Sequence, residues 1–250
     1  MKCLKVLSIG NSFSDDAQHY LYQIARAGHQ ELKAVNAYIG GCSLHRHYIN
    51  MLSGDKAYQM ELNGFFSGLA VGLQEILLND EWDVVTLQQA SHFSHRYDTY
   101  QPYLTELAAF VRRCCPKAKL LIHQTWAYEQ GSHRLCEELG YTDQAEMFRD
   151  LKDAYAKAAA SIKADGILPN GETLQNALAA GIPKVHRDTF HADLGIGRYM
   201  LAATWYQALT GKSIFDNSFR DFDLPVEEKW IPIAQRASYD AVVAYGWTVR

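Results

Sequence analysis

Two short stretches at opposite ends of the chain carry residue types that can do chemistry together: Gly10-Asn11-Ser12 near the start and Asp188-Thr189-Phe190-His191 near the end. An aspartate and a histidine three residues apart in a loop can hydrogen-bond, and the carboxylate then fixes the imidazole tautomer so that the other ring nitrogen faces a nucleophile. Ser12 is the candidate nucleophile, and a serine with such a base is an acyl-transfer device. Two other readings compete for the same residues. Ser12 could cap a helix, although Ser14 or Asp15 can fill that role. His186, Asp188, His191 and Asp193 have the types and short spacing of a zinc or iron site, which would make the chain a metal-dependent hydrolase. The metal reading leaves Ser12 without a part, so Ser12, His191 and Asp188 are the expected catalytic residues, with no metal and no organic cofactor.

For the two stretches to meet, the elements between them must bring both to one edge of a sheet. Residues 5–9 read as a strand and 15–29 as an amphipathic helix; 34–39 is a second strand closed by Gly40-Gly41, and 44–52 a short helix. Residues 53–68 read as irregular and glycine-punctuated, and 69–78 as helical. Strands follow at 83–87, 120–122 and 166–168, and helices at 99–113, 141–164, 172–180, 194–209 and 227–245. Strands alternate with helices, and several strands are continuous apolar runs, the pattern of a parallel sheet covered on both faces. The expected fold is therefore α/β: a three-layer α/β/α sandwich around a central, mainly parallel five-stranded sheet, in a single domain spanning residues 1–250. Ligands of such a sheet bind at the carboxyl ends of the strands. Those ends carry Gly10-Asn11-Ser12, Gly40-Gly41-Cys42, Gln88 to His92 and Gln124-Thr125-Trp126. No phosphate-cradling GxxxxGK[ST] motif occurs, and no GxGxxG follows a strand.

Bulk properties narrow the partners. The formal net charge is −4 and no basic run is longer than Arg112-Arg113, which removes the electrostatic footprint of a nucleic-acid binder. Five cysteines, an odd number with the pair Cys114-Cys115 adjacent and no CxxC spacing, fit reduced thiols and a cytoplasmic location better than a disulfide framework. So little chain precedes the first strand that no leader is expected, and no apolar run approaches the roughly 20 residues of a membrane span.

In their order along the chain these blocks resemble the SGNH (GDSL-like) hydrolase superfamily, in particular its DUF4886 branch. The superfamily's first block is Gly-Asp-Ser, here Gly10-Asn11-Ser12; its last is Asp-x-x-His, here Asp188-Thr189-Phe190-His191; and the glycine of its second block matches Gly41. The third block, Gly-x-Asn-Asp, is replaced by Leu87-Gln88-Gln89-Ala90-Ser91. The resemblance covers essentially the whole chain and implies a flavodoxin-like fold and a serine esterase. It also implies an oxyanion hole built from the Ser12 and Gly41 backbone N–H groups and a side-chain amide. Gln88 is expected to supply that amide because it ends the strand, with Gln89 as the fallback.

Near the expected mouth lie His45, His47, His92, His95, His123, Tyr97, Trp126 and Tyr128. They read either as ordinary loop polarity and core aromatics or as a platform for a sugar ring. Gln89, His92 and Trp126 are the expected substrate contacts. The substrate read from this set is a small-molecule or oligosaccharide ester with a short acyl group, most simply acetyl. The missing Asn block leaves a further reading, a non-catalytic carbohydrate-binding protein.

Overall fold

The structure is a computed structural model and describes residues 2–250; Met1, the first residue of the expected domain, lies outside the described residues. Its central strand, β1 (Leu4–Gly10), buries Val6, Leu7 and Ile9 completely, on both of its faces. Two short helices follow where one was expected, α1 (Ser12–Gln18) and α2 (Leu21–Ala27). The break falls at Tyr20, which turns inward and donates its hydroxyl to the Leu194 carbonyl at 2.6 Å.

The chain continues through β2 (Leu32–Tyr38), α3 (Leu44–Ser53), β3 (Tyr58–Leu62), β4 (Phe65–Val71), α4 (Leu73–Leu78), β5 (Val84–Leu87) and α5 (Tyr103–Cys114). It closes with β6 (Lys119–Gln124), α6 (Gln144–Ser161), β7 (Gly166–Pro169), α7 (Asn170–Ala179), α8 (Ile196–Thr210) and α9 (Ile231–Ala244).

The sheet has seven strands in the order β4-β3-β2-β1-β5-β6-β7. The run from β2 to β7 is parallel throughout and supplies the five strands read from the sequence. The two additional strands form an antiparallel hairpin at one edge. They occupy the stretch that reads as irregular and the first three residues of the one that reads as helical (69–71), so that helix begins only at Leu73; Asn63-Gly64 makes the turn, both residues at positive φ (54° and 89°). That dipeptide is the residue pair such a two-residue hairpin turn favours.

Helices α1, α2, α7, α8 and α9 cover one face, with Ile24, Trp205 and Val242 in their apolar layer. Helices α3 to α6 cover the other, with Leu44, Leu107 and Leu151 in theirs. The parallel strands follow the doubly wound order in which the sequence of strands reverses direction across the sheet between β1 and β5, so the loops after β1 and β5 flank the crevice where such sheets take ligands. Among the described residues, no helix is long and apolar enough to cross a membrane.

Candidate active site

Strand β1 ends in a sharp turn. A side chain at Gly10 would collide with Ser14 Oγ and crowd Gln88 Oε1, so only glycine lets the strand leave the sheet there. Asn11 caps α1: its Oδ1 accepts the Phe13 N–H at 3.0 Å, and Ser14 Oγ reciprocates by accepting the Asn11 N–H at 3.1 Å. Capping thus falls to Asn11 and Ser14, and the Ser12 side chain has no part in it. Asn11 makes two more bonds, its Nδ2 donating to the Cys42 carbonyl at 3.0 Å and its Oδ1 accepting from Gln88 Nε2 at 2.7 Å. One buried amide therefore joins the loops after β1, β2 and β5.

The second stretch is a tight loop ahead of α8. The Arg187 N–H donates to the His191 carbonyl, residues 186 and 192 form an isolated antiparallel bridge, and Thr189 sits at φ 78°. A β-branched residue in that left-handed region is strained. Its surroundings hold it there, since the Thr189 carbonyl accepts the Glu129 N–H at 2.7 Å. Asp188 Oδ1 accepts the His191 backbone N–H at 2.9 Å, and Asp188 Oδ2 lies 2.8 Å from His191 Nδ1. Partial burial pushes the Asp188 carboxyl up, but these hydrogen bonds outweigh it and leave the group below its ordinary value. His191 Nε2 lies 2.8 Å from Ser12 Oγ. With Nδ1–H committed to the carboxylate, Nε2 is the acceptor that faces the serine hydroxyl.

What clamps the two stretches together is a residue the motif reading passes over. Asp16, one turn beyond Ser12 on α1, has no exposed surface; its carboxylate takes Arg187 at 2.9 Å and Arg198 Nε at 2.8 Å. Its Oδ2 also accepts the Ala192 N–H at 3.1 Å. Below this clamp, Phe13 stacks on Trp126 with centroids 4.2 Å apart, and Trp126 Nε1 donates to the Phe190 carbonyl at 2.8 Å. The signal for Asp16 lay in its spacing of four from Ser12 and in the arginine beside Asp188.

Ser12 and His191 open onto a cleft of about 310 Å³, also lined by Tyr38, Gly40, Gly41, Ser91, His92 and Arg134. Gly41 has φ 61°, and neither its N–H nor that of Ser12 has a hydrogen-bond partner among the described residues.

The expected contacts divide. Gly41 and His92 line the cleft with Ser12 and His191. Gln88 does not: its amide is spent beneath the turn, with Nε2 on Asn11 and Oε1 2.6 Å from His123 Nδ1. Gln89 staples loops instead, its Oε1 accepting the Leu44 and Ala90 N–H groups and its Nε2 donating to Thr99. Trp126 is fully buried and supports the wall from behind. His47 and His123 are core residues whose imidazoles burial holds down at about 3, far below the ordinary value. His186 is likewise buried, its ring on the Ala127 carbonyl at 3.0 Å, while Asp193 Oδ1 accepts the Gly195 N–H at the start of α8. Of the four residues read as a metal set, Asp188 and His191 bond each other while His186 and Asp193 are directed to separate backbone groups. Among the described residues no group of three or more His, Cys, Asp or Glu side chains is placed to hold a metal ion.

Solved structures share this fold. The chain is similar to a candidate SGNH hydrolase from Slackia heliotrinireducens (24% identity, 80% of this chain and 96% of that one, TM-score 0.59). It is also similar to a candidate GDSL-like lipase from Parabacteroides merdae (16% identity, 84% and 96%, TM-score 0.55). These likenesses establish the SGNH-type α/β fold. The chain belongs to the DUF4886 family, a domain family of unknown function whose model matches residues 5–241. A DUF4886 family protein from Bacteroides uniformis superposes with a TM-score of 0.90 at 33% identity, over 100% of this chain and 98% of that one. No curated protein shows significant sequence similarity to the chain.

Proposed function

We propose that this protein is a serine hydrolase of carboxylic esters. One observation carries the reading: Ser12 Oγ, His191 and Asp188 stand in an unbroken hydrogen-bonded line with both contacts at 2.8 Å. His191 Nε2 takes the hydroxyl proton as Ser12 attacks the carbonyl carbon, and Asp188 stabilises the imidazolium that results. The oxyanion is received by the backbone N–H groups of Ser12 and Gly41, each without a competing acceptor among the described residues. Preorganised donors of this kind contribute several kcal/mol to the barrier reduction. Gln88, expected to donate a third bond, instead fixes Asn11 and acts through the turn. His191 then returns its proton to the leaving oxygen, and water resolves the acyl-enzyme by the same route. No metal or cofactor enters this scheme.

A cleft of about 310 Å³ lies at the small end of ligand sites. It favours a short acyl group, acetyl above all, on a small-molecule or oligosaccharide leaving group. None of the five cysteines is disulfide-bonded, which supports a reducing, cytoplasmic setting.

The test is turnover of p-nitrophenyl acetate by wild type and Ser12→Ala, with the site of a fluorophosphonate adduct mapped by mass spectrometry. The expected result is hydrolysis that Ser12→Ala abolishes and a label on Ser12. A label on Ser14 would overturn the assignment of the nucleophile, and no label with no turnover would overturn the hydrolase reading and leave the non-catalytic carbohydrate-binding one.

A further inference from the structure

We infer that the site selects esters whose leaving group carries a carboxylate, read by Arg134. This rests on the serine-hydrolase reading for its geometry. His191 must hand its proton to the leaving oxygen, so the departing group lies on the histidine side of Ser12, away from Gly41. That side is walled by Phe190, whose ring centroid is 3.9 Å from that of His191. The Arg134 guanidinium lies over the same ring, 4.0 Å from its centroid, and lines the cleft. Stacked there, the guanidinium is held flat while the edge of its donor fork stays available.

Three further observations single Arg134 out. It opens a π-helical turn (Arg134–Glu138), a rare local geometry that concentrates at functional sites. The acidic groups of that turn are directed elsewhere, Glu137 and Glu138 contacting His133 at 3.3 and 3.4 Å, and Arg134 has no salt-bridge partner among the described residues. Finally, no Asp or Glu lines the cleft although the chain as a whole carries a net charge of −4. A net-acidic protein thus presents among the residues lining its candidate site a single permanent cation, which makes no ion pair among the described residues and has the Tyr128 hydroxyl as a neutral neighbour. A guanidinium matches a carboxylate with two parallel hydrogen bonds, which a neutral leaving group cannot offer.

The test compares two acetyl esters of the same ring, 4-acetoxybenzoate and its methyl ester, as a ratio of kcat/KM in wild type, Arg134→Gln and Arg134→Lys. Wild type is expected to favour the anion. Arg134→Gln should lower that ratio about tenfold or more, with Arg134→Lys between the two. A ratio in Arg134→Gln within about twofold of wild type would overturn the inference. Calorimetric binding of 4-acetamidobenzoate, an uncleavable amide counterpart, separates this from failure of the esterase reading. If wild type hydrolyses neither ester, the esterase reading fails; recognition of the carboxylate by Arg134 stands if Arg134→Gln still weakens that binding, and falls if binding is the same in both.

Discussion

Asp16 and Ala192 are joined by a hydrogen bond of 3.1 Å from the Ala192 N–H to the buried carboxylate, tying the helix that starts at Ser12 to the residue that follows His191. The register of nucleophile and base thus depends on a group that touches neither. Asp16→Ala would leave the Arg187 guanidinium without its carboxylate and Arg198 with only Asp15 and Asp223. Breaking one side of such a pair costs about 3–5 kcal/mol. Chemical denaturation should show a loss of that order, and esterase activity should fall even at temperatures where the variant remains folded.

Asp188→Asn tests the other end of the line. The amide keeps the shape but no longer holds His191 in the tautomer that presents Nε2 as an acceptor. In a Ser-His-Asp enzyme the equivalent change lowers kcat about 10⁴-fold. The same order is expected here, with KM little changed and the melting temperature close to wild type, since the Asp188 side chain is about half exposed.

Glu61 supplies a pH dependence of stability. Its carboxylate is buried on β3, with Oε2 accepting from Asn36 Nδ2 at 2.6 Å and Oε1 without a partner. Burial, and after it the charge of Asp15, pushes the group up to about 8. Because the folded value lies above the unfolded one, the folded state holds a proton that the unfolded state lacks between them. Stability therefore falls as pH rises through the neutral range. Melting followed from pH 5 to pH 9 should show that decline in wild type. Glu61→Gln should flatten most of it, leaving a remnant from Asp15, itself raised to about 6 by burial and the Asp16 charge.

Asn11→Asp, which restores the superfamily's usual residue, should be harmful in this chain. The carboxylate would face the Cys42 carbonyl where the amide now donates, in a residue only 1% exposed. A buried acceptor opposed to an acceptor costs about 1–3 kcal/mol, and more when charged. Urea unfolding should register that loss.

The parallel strands were legible because each is a short apolar run between turn residues, a pattern that burial on both faces imposes. The hairpin of β3 and β4 was not: β4 is exposed along almost its whole length and so has no apolar periodicity, and only Asn63-Gly64 marked it. Ser12, Asp188 and His191, which the structure brings within hydrogen-bonding distance, were singled out by the order of the blocks and the resemblance they carry, because Ser12 by itself reads equally as a helix cap. Gln88 and Trp126 could not be placed, because position in sequence says that a residue follows a strand but not which way its side chain turns. Asp16, Arg187 and Arg198 escaped for a related reason, since their roles exist only between segments about 170 to 180 residues apart.

The polar floor under Ser12 also fixes where unseen protons lie. The Phe13 amide can only donate, so Asn11 must present its oxygen there and its nitrogen to Cys42. Gln88 must then turn its nitrogen toward Asn11 and its oxygen toward His123, which places the proton of that imidazole on Nδ1. The donors point one way, from the ring on β6 through Gln88 and Asn11 to the Cys42 carbonyl, and the Phe13 amide joins them at Asn11 Oδ1. Positions 11, 88 and 123 are therefore one unit of inheritance: a change of polarity at any of them is tolerable only if its neighbour reverses too.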